Sequence, residues 1–335
     1  MRRTTAVTAL ALVSGLVLAG CGGSSGGSAS STTSSAAPSA SGSAGASATP
    51  CTPTAAAAAP AGAKTTKVGV AVSGAADKKP TLTIPRSAAP TTTSVEVLAA
   101  GTGAVVKKGD VLLANYLGQT WAEKDCKVNV FDNSYDRGAV AGFPIGVGAV
   151  VKGWDSTLVG QKLGSRVLLT ITPQDGYGVK DAQSTSELAG ETLVFVVDLK
   201  DTIKGDGVAK GAVEKVPAGF PAITSESGKR PDVTSVTGVK TSATPASALL
   251  VKGTGPAIDE KKQLVLQFLQ TDAKTGKQTQ KTWDAGQPQV VAATSVLSLV
   301  TALKGQPVGS RAVVVTAEEA SSPAQVLVVD VIGQF

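Results

Sequence analysis

The amino-acid sequence predicts an α+β fold: two copies of one domain, each a twisted antiparallel β-sheet wrapped around one short α-helix, after a long N-terminal tether. Three observations predict this fold. Motifs of the first half of the chain recur in the same order in the second half, apolar β-branched runs alternate with turn residues in both halves, and small residues dominate the N-terminal region. A chain of 335 residues accommodates about two domains.

The N-terminus has the features of an export signal. Met1-Arg2-Arg3 precedes an apolar run at residues 6–19, which has signal-peptide length and is too short for a membrane-spanning helix. The run ends in Leu18-Ala19-Gly20-Cys21, which resembles the lipobox of bacterial lipoproteins. This resemblance implies that Cys21 is lipidated and that the protein is extracytoplasmic and lipid-anchored to the bacterial cell membrane. The alternative is an ordinary cleavage site with an incidental cysteine.

A tether follows the leader. Residues 22–63 are almost wholly Ser, Thr, Ala, Gly and Pro, and such a segment cannot bury enough apolar surface to offset the entropy lost on ordering. We therefore predict a flexible tether and extend it to residue 78. Cys51 near its end and Cys126 in the first folded region form a disulfide in one hypothesis, and stay free thiols in the other.

The repeat divides the folded part of the chain. Gly101-Thr102-Gly103 recurs as Gly253-Thr254-Gly255, and further motifs recur in order at offsets that decrease in two steps. The copies are therefore collinear, and the second has two deletions. The predicted divisions are a signal peptide at 1–20, a tether at 21–78, a first domain at 79–205, a linker and N-terminal extension of the second repeat at 206–245, and a second domain at 246–335.

Strand signals predominate in both copies. In the first, residues 111–116, 166–171 and 193–199 are apolar or β-branched runs bounded by turn residues. One short helix is predicted there at residues 152–159, and its counterpart in the second copy at residues 295–304, each closed by a glycine. These elements are typical of a sheet that covers one helix.

The composition excludes several classes of function. The chain has no His and three Cys, which removes imidazole acid–base and nucleophile systems, His-ligated metals, and a structural zinc site or iron–sulfur cluster made by cysteines alone. The formal net charge of +6 is spread without a Lys/Arg run or a basic–aromatic stripe. We therefore predict no metal, no cofactor and no nucleic-acid partner.

Motifs that carry chemistry are distributed over residues 94–203 of the first copy. In chain order they are Asn115-Tyr116, residues 131–138, Val150-Val151-Lys152-Gly153-Trp154, Gly164-Ser165-Arg166, Ile171-Thr172-Pro173, Tyr177-Gly178 and Thr192-Leu193-Val194-Phe195. Together, in this order and spacing, they resemble the FKBP-type peptidyl-prolyl cis-trans isomerases. The resemblance implies an apolar pocket between the sheet and the helix, a reaction without metal or nucleophile, proline-containing polypeptides as substrates, and binding of tacrolimus-like macrolides.

The resemblance also assigns residues. Trp154 resembles the pocket floor, Asp132 the pocket carboxylate and Tyr177 a loop hydroxyl that contacts substrate. The backbone N–H of Val151 resembles the group that meets the substrate carbonyl. The candidate catalytic residues are Tyr116, Phe131, Asp132, Val151, Trp154, Tyr177 and Phe195, and the further substrate-binding candidates are Val150, Arg137, Phe143 and Leu188.

The residues taken alone leave other interpretations open. Trp154 as ordinary core, Asp132 as a turn residue and Tyr177 as a surface-turn residue are the alternatives for the three most distinctive positions. Two departures from the family pattern are visible: Ala141 stands where an aromatic wall is usual, and the loop at residues 179–190 lacks paired apolar residues, with Leu188 the nearest candidate.

The second copy has lost most of the pocket. Sequence matching pairs Tyr116-Leu117 with Phe268-Leu269 and Phe131-Asp132 with Trp283-Asp284. It also pairs Trp154 with Leu299, Phe195 with Leu327 and Pro173 with Glu318. We expect this copy to fold but to isomerise poorly. The leading function is a prolyl isomerase tethered at the cell surface; the alternatives are a non-catalytic module that binds proline-containing segments and a structural envelope protein.

Overall fold

The computed structural model describes residues 59–60, 62–124, 127–318 and 323–335. The predicted signal peptide, the lipidation site Cys21, and both cysteines of the possible Cys51–Cys126 disulfide lie outside these residues. Within the described part of the chain, no helix is long and apolar enough to cross a membrane.

A small sheet precedes the first repeat. Strands β1 (Lys64–Thr65), β2 (Ala71–Ser73) and β3 (Thr81–Thr83) pair antiparallel in that order. The predicted tether therefore ends before residue 64, which corrects its extension to residue 78. The physical reason is a short apolar pattern: Val70, Val72 and Leu82 are buried against one face of the next sheet.

The first repeat is built on a six-stranded antiparallel sheet. Its strands are β4 (Ser94–Ala99), β5 (Val111–Thr120), β6 (Val130–Asn133), β7 (Ala141–Pro144), β8 (Arg166–Ile171) and β9 (Leu193–Ile203). The order is β4-β8-β9-β5-β6, with β7 also paired to β5. Helix α1 (Lys152–Leu158) agrees with the predicted helix and contacts β8.

Both faces of this sheet are covered. Successive side chains of a strand point to opposite faces. Along β8, Val167, Leu169 and Ile171 pack in the cluster that contains Trp154 of α1, whereas Leu168 packs towards the small N-terminal sheet. All six residues of β8 are buried for this reason, and they do not alternate between apolar and polar.

The second repeat has the same arrangement. Its elements are β10 (Gly211–Val213), β11 (Ala222–Thr224), β12 (Asp232–Ser235), β13 (Ala246–Gly253), β14 (Gln263–Asp272), β15 (Gln278–Lys281), α2 (Thr282–Ala285), β16 (Gln289–Ala292), α3 (Ala293–Leu299), β17 (Arg311–Val315) and β18 (Gln325–Gln334). The sheet order is β10-β13-β17-β18-β14-β15 with β16 paired to β14, so five strands follow the order of the first sheet and β16 takes the place of β7.

The helices of the second repeat differ from the prediction. Helix α3 begins two residues earlier than predicted and ends at Leu299, and a 3₁₀ turn at Thr301–Leu303 follows it. The additional short helix α2 lies where the first repeat has a 3₁₀ turn at Tyr135–Arg137. The second copy therefore has one short α-helix more than the single helix that the sequence predicted.

A buried ion pair fixes the N-terminal segment onto the first sheet. Arg166 Nε and Nη2 donate to the two carboxylate oxygens of Asp198 at 2.6 and 2.7 Å. The remaining donors of the guanidinium reach the carbonyls of Gly74 at 2.9 Å and Lys78 at 2.8 Å. The segment between β2 and β3 thus accepts hydrogen bonds from guanidinium N–H donors that the buried pair with Asp198 leaves over.

The second repeat contains the same device. Arg311 and Asp330 are fully buried and form two hydrogen bonds of 2.6 and 2.7 Å. Arg311 Nη2 also donates to the carbonyl of Lys229, between β11 and β12, at 2.8 Å. Burial raises the pKa of Asp330, and the bonds from Arg311 oppose that effect. Each repeat therefore includes its preceding hairpin as a structural part.

Candidate active site

Five aromatic rings meet on the helix-facing side of the first sheet. Trp154 in the first turn of α1 lies at the centre, with its ring centroid 4.8 Å from Phe143, 5.2 Å from Phe195 and 5.6 Å from Tyr116. Phe131 packs edge-on against Phe195 at 5.5 Å. Edge-to-face geometry at these distances is the favourable arrangement for aromatic pairs. The structure thus brings together all five aromatic side chains that the sequence assigned to the pocket floor, walls and lining.

Two glycines make this packing possible, and sequence reasoning missed both. A Cβ at Gly118 would lie 2.6 Å from Phe195 Cε1 and 2.8 Å from Phe131 Cζ, so any side chain there would displace the two rings. A Cβ at Gly153 would lie 2.5 Å from Ile171 Cγ2. The absence of a side chain at Gly153 therefore allows α1 to approach β8 closely. The sequence carries a partial signal for Gly118, because a glycine inside a strand often marks a place of close approach.

A polar network closes one side of the aromatic cluster. The Tyr116 hydroxyl donates a short hydrogen bond to one oxygen of Asp132, and Arg137 Nη1 donates to the other at 2.5 Å. Arg137 Nη2 donates to the Tyr116 hydroxyl at 2.8 Å, and its guanidinium lies 5.6 Å from the centroid of the Tyr116 ring. Arg137, which the sequence placed among the substrate-binding candidates and as a partner that orients Asp132, bonds to the Tyr116 hydroxyl as well and so orients both groups.

The pKa values in this network follow from its hydrogen bonds. Burial and the bond to Asp132 raise the pKa of Tyr116 to about 12. Burial alone would raise the pKa of Asp132, but the bonds from Tyr116 and Arg137 outweigh it and hold that pKa below its ordinary value. The bond to Asp132 raises the pKa of Arg137. At neutral pH the network is a neutral phenol between a carboxylate and a guanidinium.

The loop that enters α1 is held by a carboxylate. Asp155 accepts hydrogen bonds from the backbone N–H groups of Gly146 and Gly148, both at 2.6 Å. Both glycines have positive φ, which a side chain would strain. Val150 and Val151 follow in the same loop, half-buried against the aromatic cluster. Asp155 was not among the residues singled out from the sequence.

Tyr177 and Leu188 are the two remaining candidates. Tyr177 follows a 3₁₀ turn at Pro173–Asp175, and its side chain is 40% exposed. Partial burial raises its pKa, as does the negative charge of Asp132, so the phenol lies within electrostatic range of that carboxylate. Leu188 is half-buried and packs against the aromatic cluster, as does Ala141.

The nitrogen of the central indole has no partner in the structure. Trp154 is 3% exposed, and its Nε1 makes no hydrogen bond among the described residues. The site contains no grouped metal ligands either: within residues 59–60, 62–124, 127–318 and 323–335, no three His, Cys, Asp or Glu side chains form a metal-binding group. The arrangement is therefore an apolar aromatic surface with a charged network at its edge.

Hydrogen bonds establish how the second repeat aligns with the first. The Tyr116 N–H donates to Ser134 Oγ at 2.9 Å, and the Phe268 N–H donates to Thr282 Oγ1 at 2.8 Å. Phe268 is thus the counterpart of Tyr116, as the sequence predicted, and Thr282 is the counterpart of Ser134. The connection between these two positions is shorter in the second repeat.

This alignment corrects one pair of the sequence comparison. Trp283-Asp284 occupies the place of Tyr135-Asp136, so its prediction as the counterpart of Phe131-Asp132 is wrong. The ion pairs agree with the correction, since Asp136 pairs with Lys79 at 2.6 Å and Asp284 with Arg230 at 3.5 Å. The hydrogen bond to a side-chain hydroxyl, which occurs in both repeats, determines which residues correspond. Chemical similarity of the side chains does not determine it.

The pocket positions of the second repeat carry other residues. The strand register places Thr279 at the position of Phe131 and Gln280 at the position of Asp132. The register supports the pairing of Phe195 with Leu327. Leu299 ends α3, whereas Trp154 is the third residue of α1, so the prediction that these two correspond is wrong.

Comparison with known proteins decides the family. A family model described as FKBP-type peptidyl-prolyl cis-trans isomerase matches residues 103–200. The "Probable FK506-binding protein" of Corynebacterium glutamicum is 33% identical over 122 residues, which are 36% of this chain and 97% of that protein. The chain belongs to the FKBP-type peptidyl-prolyl cis-trans isomerase family.

Other FKBP-type proteins are similar over the same length. The "FK506-binding protein" of Streptomyces anulatus is 32% identical over 122 residues, which are 36% of this chain and 95% of that protein. The crystal structure of AtFKBP13 is 30% identical, with a TM-score of 0.28 over 34% of this chain and 94% of that one. The family model covers the first repeat, which is the one that carries the aromatic cluster.

Proposed function

We propose that the first repeat catalyses rotation about X–Pro peptide bonds in exported polypeptides, and that its aromatic cluster holds the prolyl segment. The single observation that carries the proposal is the edge-on packing of Tyr116 and Phe195 around Trp154, closed at one edge by Asp132 and Arg137. An apolar pocket with a few fixed polar groups is typical of a small-ligand site.

The chemistry required of such a pocket is limited. The barrier to rotation is about 18–20 kcal/mol and comes from amide resonance. The planar amide is more charge-separated than the twisted one, so an apolar surface disfavours the planar ground state relative to the transition state. Such differential binding accelerates the chemical step without proton transfer. The residues at the site fit this, since Trp154 supplies the apolar surface.

The carboxylate has an electrostatic role in this proposal. Both oxygens of Asp132 are engaged by Tyr116 and Arg137, and its lowered pKa keeps it ionised. It therefore acts as a fixed dipolar edge of the pocket and not as a general base. A group that is held before substrate arrives needs no reorganisation during the reaction.

We also propose that the protein acts outside the cytoplasm, attached to the cell membrane by lipid at Cys21. The support is the lipobox-like sequence and the Ser/Ala/Gly-rich segment after it. Several acyl chains on one cysteine would satisfy the requirement of two anchoring signals. Labelling of growing cells with a radioactive fatty acid should label the wild-type chain but not Cys21→Ala, and equal labelling of both would contradict the assignment.

The activity is tested by cis-to-trans relaxation of a short X–Pro peptide with the full chain. We expect acceleration by the wild type and a loss of at least about 100-fold in kcat/KM for Trp154→Leu, because the residue removed is the central surface of the pocket. Phe220→Leu in the second repeat, whose side chain packs in a cluster of that repeat, is the control and should retain the wild-type rate. Absence of acceleration by the wild-type chain would contradict the proposal.

One observation favours a second candidate function, a binding module without catalysis. Ala141, where the resemblance predicts an aromatic wall, packs on the aromatic cluster with a small side chain, and Tyr177 is 40% exposed. Such a site would bind a proline-containing segment or a tacrolimus-like macrolide without accelerating rotation. Measurable peptide binding that depends on Trp154, together with an unchanged relaxation rate, would support this second function.

A further inference from the structure

The second repeat contacts the first at the strand that borders the aromatic cluster. In β7, Ala141 and Phe143 pack on the cluster, and Gly142 between them faces the opposite side. The ring of Phe335, the last residue of the chain, covers Gly142 so closely that a Cβ there would lie 2.3 Å from Phe335 Cζ. The end of the second repeat therefore lies directly against the backbone of a pocket strand.

A second contact reaches the loop that enters α1. Gln287 Nε2 donates a hydrogen bond of 2.7 Å to the carbonyl oxygen of Val147. Val147 lies between the two glycines that Asp155 holds from within the first repeat. The loop that leads to Val150 and Val151 is thus fixed from both repeats.

The rest of the interface is apolar and specific. Its buried centre joins β5 of the first repeat to β14 of the second; the members are Val111, Leu113 and Val265, with Val140, Ile203, Val290, Ile332 and Phe335 packed around them. The connecting segment is fixed as well, because Gln267 donates to the Gly205 carbonyl and Trp283 Nε1 donates to the Gly207 carbonyl at 3.0 Å. Contacts of this kind hold the two repeats in one orientation.

We infer that the second repeat, whose pocket positions carry other residues, acts as a positioning element for the pocket of the first. Phe335 holds β7, and Gln287 holds the loop before Val150, in the geometry that substrate needs. The inference rests on the proposed function of the first repeat. It explains why the second repeat keeps its sheet and its interface while Thr279 and Gln280 replace the pocket residues. Small displacements of binding groups reduce the rate strongly, and a site held before binding avoids the cost of ordering.

The test uses two variants of the full chain. Phe335→Ala removes the ring over Gly142, and Gln287→Glu keeps the shape of the side chain but removes its N–H donor. We expect kcat/KM to fall about tenfold for Phe335→Ala and about threefold for Gln287→Glu, mainly through a higher KM, because geometry is disturbed while the reacting surface stays in place. Phe335→Leu, which keeps an apolar side chain, should recover most of the loss.

Matched controls lie in the second repeat, away from this interface. Gln334 Nε2 donates to the Ala257 carbonyl at 2.9 Å within its own repeat, and Phe220 packs in a separate cluster that contains Leu269 and Val313. Gln334→Glu and Phe220→Ala should leave kcat/KM at the wild-type value. Equal losses in test and control variants would show a general loss of stability and overturn the inference.

A binding measurement separates this inference from the proposed function. The dissociation constant for tacrolimus should rise in Phe335→Ala and Gln287→Glu by factors similar to those for KM. An inactive wild-type chain would overturn the proposed function. The dissociation constants of the variants for tacrolimus would still show whether the second repeat positions the site. Wild-type kcat/KM and affinity in Gln287→Glu, an exposed substitution that leaves the core intact, would overturn the inference even if Phe335→Ala fails to fold.

Discussion

The two repeats share a scaffold but differ in the residues that face the helix. Both have the same order of central strands and a buried Arg–Asp ion pair. In both, a side-chain hydroxyl accepts a hydrogen bond from the backbone N–H of Tyr116 or of its counterpart Phe268. The second repeat has Thr279 and Gln280 where the first has an aromatic ring and a carboxylate. The determinants of the fold are therefore separable from those of the site, and function is located by the site.

The largest expected effect is on stability and concerns the buried Arg–Asp ion pair that each repeat contains. Arg311→Ala should destabilise the protein by about 3–5 kcal/mol, because it leaves the buried Asp330 without its partner. Arg166→Ala should be similar, since it leaves Asp198 unpaired and frees the hairpin that precedes the first sheet. Urea unfolding followed by circular dichroism measures both. A loss of stability in only one of the two variants would mean that the two ion pairs are not equivalent.

The next largest effect is expected at one position where the equivalent strands β5 and β14 carry different residues. Gly118→Ala should lower stability by about 1–3 kcal/mol, since overpacking displaces Phe131 and Phe195, and should reduce activity at least tenfold. Gln270→Ala, at the matching position of the second repeat, should change neither. Thermal unfolding and peptide relaxation measure the two properties. Wild-type activity in Gly118→Ala would show that the rings do not form the site.

A smaller effect concerns the acid stability of the first repeat. The pKa of Asp132 is lower in the folded protein than its ordinary value of 3.8. The stabilisation from ionised Asp132 is therefore complete above pH 3.8 and is lost as the pH falls through the lower, folded value. The stability difference between wild type and Asp132→Asn should be constant near neutral pH and should narrow below pH 3.8. A difference that changes around neutral pH would assign the effect to another group.

The smallest effect is the absence of a neutral-pH transition in activity. The chain has no His, Asp132 is ionised, and the pKa of Tyr116 is about 12. The plot of kcat/KM against pH should therefore be flat between about pH 6 and pH 8, where only groups with shifted pKa values would titrate. A bell-shaped profile in this range would indicate proton transfer and contradict the mechanism.

The sequence predicted the elements whose signal is local. The long strands and helix α1 follow from apolar runs and turn residues, whereas the aromatic residues of the first pocket follow from the resemblance to the FKBP-type family. The small N-terminal sheet was missed because its strands have only two or three residues, and Val70, Val72 and Leu82 gain their burial from a distant surface. Tertiary packing determines such strands, and local composition does not.

The wrong pairing of Trp283-Asp284 with Phe131-Asp132 has an identifiable cause. Trp283-Asp284 resembles Phe131-Asp132 in residue type, and the constant offset supported that match. The register is set instead by the hydrogen bond of Thr282 to Phe268, after a shorter connection. Likewise, the role of Gly118 depends on two rings that are distant in sequence, so a glycine inside a strand is only a partial signal of that role.

The central claim, that the site lies in the first repeat because of its particular side chains, has one direct test. The full chain with Phe131→Thr and Asp132→Gln carries the residues of the second repeat on the scaffold of the first, and its kcat/KM for an X–Pro peptide is compared with wild type. The account predicts at least about a 100-fold loss with the cooperative unfolding transition retained. The reciprocal pair Thr279→Phe and Gln280→Asp should leave the rate unchanged. A wild-type rate in the first variant would contradict the account.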